Sequence, residues 1–213
     1  MPDRTISLPE LCSTDKMIIH ERADFLDYSK FRDIRLAQYN LIVFCGNSGS
    51  GKSTAIEILV NIHCEHFTFV FVDISIIGTP DVVAKYCVAS SNTYLIIDEI
   101  WKPSQLHNLR VLSRRGYKII VASHVSPWVS KLLLMYSRSL TINLDACNNK
   151  LERYLDHRGI SYSKAVMRSY QNKYGNVFTE LQIILVHCPS KNLDYSYAKF
   201  HKFNRITKAV SRR

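Results

Sequence analysis

Hydrophobic and polar positions follow two alternating rhythms over the first two thirds of the chain. Residues 39–45 (YNLIVFC), 67–73 (FTFVFVD), 94–98 (YLIID), 117–123 (YKIIVAS) and 139–144 (SLTINL) are short, almost continuously apolar, and bounded by turn residues. Runs of that kind predict strands. Between and after them, 52–63, 80–87, 103–115 and 127–136 carry a helical period, and three of these stretches open on a proline (Pro80, Pro103, Pro127), a residue tolerated in a first helical turn. Apolar strands separated by helices predict an α/β fold with a mostly parallel five-stranded sheet covered by helices on both faces.

The chain then changes character. From residue 151 it reads as a small, mainly helical region (LERYLDHRG, SKAVMRSYQNKYG, TELQIILVHC, YSYAKFHKFNRITKAV). Residues 1–38 form an N-terminal extension with a helical stretch at 25–34. The expected organisation is therefore an extension at 1–38, a core at 39–150 and a C-terminal region at 151–213.

Composition narrows the class. A chain of 213 residues with 46% hydrophobic and 22% charged positions excludes a disordered polymer, a collagen-like fibre and a minimal disulfide scaffold. The six cysteines form no CxxC pair, so neither a zinc site nor a redox dithiol is signalled. No signal peptide is evident and no apolar run is long enough to span a bilayer; the expectation is a soluble, cytoplasmic protein.

Charge is uneven. Residues 1–150 hold 16 Lys and Arg against 14 Asp and Glu, whereas 151–213 hold 12 against 4. A local positive field of this kind suits an anionic polymer, DNA or RNA before a membrane; a solvated basic surface is the alternative. Lys199, Lys202, Arg205 and Lys208 recur at intervals of three, as a stripe on one helix side would, and are the candidate nucleic-acid-binding residues. Lys164, Arg168 and Lys173 are a second such group. Tyr195, Tyr197, Phe200 and Phe203 interleave with the first stripe, fit for stacking on bases and equally for the buried face of an amphipathic helix.

The densest chemical signal is Gly46-Asn47-Ser48-Gly49-Ser50-Gly51-Lys52-Ser53, which fits G-x-x-x-x-G-K-[ST] between a predicted strand and a predicted helix. Glycines let successive backbone N–H groups turn inward, and the following helix adds unpaired N–H groups and the positive end of its dipole. That concavity binds phosphate. Lys52 would neutralise the β- and γ-phosphates, Ser53 would offer its hydroxyl to Mg²⁺, and Thr54 would reach the α-phosphate side. About fifty residues on, Tyr94-Leu95-Ile96-Ile97 runs into Asp98-Glu99, setting two carboxylates at the C-terminal end of a buried strand, where ligands of open α/β sheets collect. Asp98 suits the metal shell and Glu99 the attacking water.

With these two motifs, residues 39–144 resemble the P-loop NTPase superfamily, and the Asp98-Glu99 pair resembles its division with an additional strand and a catalytic glutamate. The resemblance implies ATP as the nucleotide, Mg²⁺ as the metal, and catalytic roles for Lys52 and Glu99. Ser123 and His124 close the next strand. A polar residue there is similar to the γ-phosphate sensor of these ATPases, and a histidine there to the switch histidine of ABC-type ATPases. Between the two motifs stands no LSGGQ-like signature or glutamine loop, against a full ABC transporter subunit. Arg110, Arg114 and Arg115 lie where several oligomeric motors offer an arginine finger to a neighbour, which would make a homo-oligomer the working unit; arginines near a helix C-terminus also complement its dipole.

The expected function is Mg-dependent ATP hydrolysis coupled to moving or remodelling nucleic acid. A solitary ABC-like ATPase, a nucleotide-dependent assembly switch and a small-molecule or nucleotide kinase are the alternatives. Tyr28 or Phe31 are candidates for stacking on the base.

Overall fold

The computed structural model describes residues 33–72, 83, 89–135, 137–146 and 149–210, the stretch 203–210 by backbone alone. The expected helix at 80–87 apart from Val83, all but two residues of that at 25–34, and Tyr28 and Phe31 lie outside the described residues.

Five strands, β1 (Leu41–Cys45), β2 (Thr68–Val72), β3 (Thr93–Ile100), β4 (Lys118–Ser123) and β5 (Ser139–Asn143), form one parallel sheet in the order β2-β3-β4-β1-β5. Burial explains their composition. All five residues of β1 and the last five of β4 are buried, while β2 and β5, on the two edges, keep partly exposed positions. The central strands therefore read as unbroken Ile/Val/Leu/Phe runs, the signature of a sheet covered twice.

Helix α1 (Lys52–His63) follows β1, α2 (Pro103–Arg114) links β3 to β4, and α3 (Pro127–Leu133) precedes β5. Leu106, Leu109 and Leu112 recur along one side of α2 and enter a cluster with Leu41, Val43, Ile97, Ile119 and Val121. Each such leucine contributes about 1.5–3 kcal/mol by leaving water. Odd-numbered β1 residues face this cluster, so Ile42 and Phe44, also fully buried, face the other side, as a two-residue strand period requires. Local signals fix the helix starts: the Gln105 side chain accepts the Lys102 backbone N–H at 2.9 Å, and the Ser126 hydroxyl accepts that of Val129 at 3.3 Å, each beside a proline in the first turn.

A second compact unit comprises Asp145–Arg213 together with the loop tip Ser48–Ser50. It contains α4 (Lys150–His157), α5 (Lys164–Tyr174), α6 (Phe178–His187) and α7 (Leu193–Val210). Leu151, Leu155, Met167, Tyr170, Leu181, Ile184 and Leu193 are buried here. Tyr170 donates its hydroxyl to the Val177 carbonyl at 2.5 Å, and burial pushes its ionisation well above the ordinary tyrosine range. The unit begins at Asp145, and Lys150, the first residue of α4, is only 1% exposed within it.

Candidate nucleotide site

Residues 46–51 turn between the end of β1 and the start of α1. The turn uses the left-handed region at Gly49 (φ 73°) and at Gly51 (φ 97°), the cap of α1, conformations that cost a residue with a Cβ about 1–2 kcal/mol. The Gly46 N–H donates to the Ser123 carbonyl at 3.3 Å, so the loop leaves the sheet beside the tip of β4. Lys52 is only 6% exposed. Its ammonium donates to the carbonyls of Gly46 at 3.0 Å and Asn47 at 2.8 Å, which holds a positive charge across the mouth of the loop. Thr54 follows half-buried on α1, Asn47 and Ser48 are exposed, and Ser50 is buried.

The loop tip is gripped inside the second unit. The Phe178 N–H donates to the Gly49 carbonyl at 3.0 Å, and the Lys150 ammonium donates to the Ser50 carbonyl at 2.9 Å while lying 5.4 Å from the Phe178 ring. Sequence reasoning missed both residues. Lys150 stands 100 positions from Ser50, and no local pattern links them.

At the end of β3 the pairing with β4 slips. Ile97 faces Val121 but Ile100 faces Ser123, so three steps on β3 match two on β4, a β-bulge that carries Asp98 and Glu99. Glu99 takes φ 60°, a strained conformation for a residue with a side chain and one that concentrates at functional sites. Both residues of the bulge are exposed. Asp98 Oδ1 accepts the Ser53 hydroxyl at 3.3 Å. Neighbouring ligands of an octahedral Mg²⁺ ion, bonded at about 2.1 Å, lie about 3 Å apart. Ser53 and Asp98 therefore fit the ion and would hold it through one hydroxyl and one carboxylate oxygen.

His124 Nε2 faces Glu99 Oε1 at 3.8 Å, with the histidine side chain 8% exposed and the glutamate 57%. That separation exceeds a hydrogen bond, and Nε2 has no hydrogen-bond partner. Burial first, and the Lys52 charge second, push the His124 pKa below the ordinary histidine value, so the ring is neutral near pH 7. Ser123 is buried, and its hydroxyl oxygen accepts the Val125 N–H at 3.1 Å. Lys52, Ser53, Asp98, Glu99 and His124 thus converge on the C-terminal edge of the sheet.

The arginines do not join them. Helix α2 runs from the end of β3 to the start of β4, so its last turn lies at the opposite sheet edge. Arg114 and Arg115 are exposed there, and Arg110 donates to the Met135 carbonyl at 3.0 Å. None lies near Lys52, Ser53 or Asp98.

On α7 the aromatic residues divide by face. Tyr197 packs edge-on against Tyr170 and Phe200 stacks on His187, while Tyr195 is 56% exposed with the Lys199 ammonium 5.5 Å from its ring. Lys199 and Lys202 are exposed; Phe203, Arg205 and Lys208 have described backbone only. Lys164 and Arg168 are exposed on α5, and Lys173 lies 3.1 Å from His201.

No family model and no curated protein matches this sequence. Solved structures do. AMPPCP-bound DnaA from Aquifex aeolicus superimposes with a TM-score of 0.53 at 13% identity, over 86% of this chain and 67% of that one. The chain shares the α/β fold of that structure, a parallel sheet flanked by helices. Cdc6p from Pyrobaculum aerophilum matches with a TM-score of 0.36 at 13% identity, over 70% of this chain and 49% of that one. Among the described residues, no helix is long and apolar enough to cross a membrane.

Proposed function

We propose that the chain is a Mg²⁺-dependent nucleoside triphosphatase, with ATP as its substrate and nucleic acid as its partner. The observation that carries the reading is the convergence of a buried loop lysine, the Ser53–Asp98 pair at 3.3 Å and the strained Glu99 beside an unpartnered His124 nitrogen. A nucleotide analogue bound to DnaA, whose fold this chain shares, supports it. The position of β4 between β1 and β3 is consistent with an additional strand between the two motif-bearing strands, and supports it as well.

In this reading the loop N–H groups and Lys52 bind the β- and γ-phosphates and stabilise the charge that develops on the transferring group. Ser53 and Asp98 hold Mg²⁺, which neutralises phosphate charge when bound. Glu99 orients a water in line with the γ-phosphorus and accepts its proton. The water oxygen bonds to phosphorus, the bond to the β–γ bridging oxygen breaks, and ADP and phosphate leave. His124 Nε2 faces the same space and senses the γ-phosphate or the attacking water. Water as acceptor, favoured by Glu99 at that position, separates this reading from a kinase. Nucleic acid binds through the exposed Tyr195, Lys199 and Lys202 of α7. Arg110, Arg114 and Arg115 remain available only to a neighbouring copy, so the arginine-finger role requires a homo-oligomer.

Steady-state ATP hydrolysis with and without Mg²⁺ and single- or double-stranded DNA tests the reading. Metal-dependent turnover raised by DNA is expected. A phosphorylated small molecule in place of free phosphate would overturn it in favour of a kinase.

A further inference from the structure

The bulge at Asp98-Glu99 changes which residues meet at the end of the β3–β4 ladder. Without the extra residue, the register Ile97–Val121 would continue to set Ile100 opposite His124. With it, Ile100 faces Ser123, and the next pair is Trp101 and His124. The His124 N–H donates to the Ile100 carbonyl at 2.8 Å, which extends the ladder just far enough to fix that pair. The two rings lie face to face, with centroids 3.6 Å apart and planes within 3°.

The stack has a direction. Trp101 is 57% exposed whereas the His124 side chain is 8% exposed, so the indole is the cover and the imidazole is what it covers. A large aromatic residue left more than half in water gives up much of the stabilisation that burial would bring, and this one lays a ring face on a histidine. A face-on contact restricts rotation of the imidazole and leaves the ring edge, with Nε2, pointing at Glu99. The backbone that carries the indole is itself anchored, its Trp101 N–H donating to the Gln105 side chain at 3.0 Å.

We infer that Trp101 is a positioning residue of the hydrolytic site, holding the His124 ring with Nε2 toward Glu99 and the γ-phosphate space. This rests on the triphosphatase reading above. Trp101 touches neither nucleotide nor metal in it; its effect runs through His124. One bulge therefore aims the carboxylates and aligns the histidine's support.

Three measurements on the full chain test the inference. In wild-type protein the His124 ring protons should resonate upfield of the other histidines, shifted by the indole ring current, and Trp101→Ala should abolish that shift. In Trp101→Ala, kcat for ATP should fall about tenfold or more with the Kd for Mg·ATP unchanged within about twofold, while Trp101→Phe, which keeps an aromatic face, should recover most of the rate. Trp101→Ala combined with His124→Ala should be no slower than His124→Ala alone, since the tryptophan acts only through the histidine. Equal kcat in Trp101→Ala and wild type, or an additive double variant, would overturn the role of Trp101 while leaving the triphosphatase reading in place. A wild-type chain that shows the upfield shift but no hydrolysis would overturn the triphosphatase reading and the positioning role together.

Discussion

Replacing Gly49 with alanine should weaken both the fold and the nucleotide site, by an amount that the structure permits one to work out. Gly49 has φ 73°, so any Cβ there costs about 1–2 kcal/mol in backbone strain. The new atom would also lie 2.1 Å from Thr179 Oγ1 and 2.9 Å from Val177 Cγ1. Overpacking of that kind costs about 1–3 kcal/mol. Together they predict a loss of about 2–5 kcal/mol, read as a lower midpoint in urea at constant slope. Thr179→Ala in the same chain removes the 2.1 Å clash with Oγ1 but leaves the Cβ at 2.8 Å, Val177 Cγ1 at 2.9 Å and the backbone strain, so the double variant should recover only part of the loss and stay below wild type by more than the strain contribution of about 1–2 kcal/mol. The carbonyl of Gly49 also accepts the Phe178 N–H, so movement of the tip should lower ATP affinity in Gly49→Ala as well. A variant as stable as wild type would refute the described loop conformation, and a double variant no better than Gly49→Ala would refute the packing against Thr179.

Other substitutions probe separate parts of the site. Glu99→Gln should lower ATP turnover about 10²–10⁴-fold, the usual range for removal of a general base, with binding of Mg·ATP retained; unchanged turnover in a coupled phosphate-release assay would remove Glu99 from the reaction. Burial holds the pKa values of His124 and His63 below the ordinary 6.5, so each binds fewer protons folded than unfolded as the pH drops through that value. Stability should therefore be fully present above about pH 6.5 and decline as the pH is lowered toward the folded values. An acid limb in a series of urea melts that shrinks in His124→Ala, with His63 intact, would assign the share of His124; an unchanged limb would refute it. Exchanging Lys199 and Lys202 for alanine should weaken duplex DNA binding evenly across sequences and reduce the slope of log K against log salt by about 0.9 for each phosphate no longer neutralised; an unchanged slope would place nucleic acid elsewhere.

What the sequence discloses and what it withholds follow from the range of the interactions involved. Strand and helix identities are local. The buried runs of β1 and β4, the leucine spacing of α2 and the prolines of α2 and α3 all announce themselves within about ten residues, and α1 spans the same 52–63 that its period predicts. The loop at residues 46–53 is equally local, because its motif is written in glycines and a lysine at fixed spacing. The bulge is not. Asp98 and Glu99 look like the last residues of a strand, and only pairing with β4 reveals the extra residue, the positive φ of Glu99 and the continuation of β3 to Ile100. Trp101 beside His124 and Lys150 beside Ser50 depend on approaches between distant positions that no periodicity encodes. The arginines of α2 are a further case: their place before β4 suggests a finger for a neighbouring copy, and the direction of the helix sets them at the far end of the sheet from the nucleotide site of their own chain.

The account rests on the loop at residues 46–53 and the carboxylate at Asp98 acting on one ligand. Calorimetric titration of the purified full chain with ATP, in Mg²⁺ and in EDTA, measures that most directly, with Lys52→Ala and Asp98→Asn alongside. Saturable binding is expected, tighter in Mg²⁺, nearly abolished in Lys52→Ala, and no longer responsive to metal in Asp98→Asn. Absence of binding to any nucleoside triphosphate, or binding indifferent to Lys52, would contradict it.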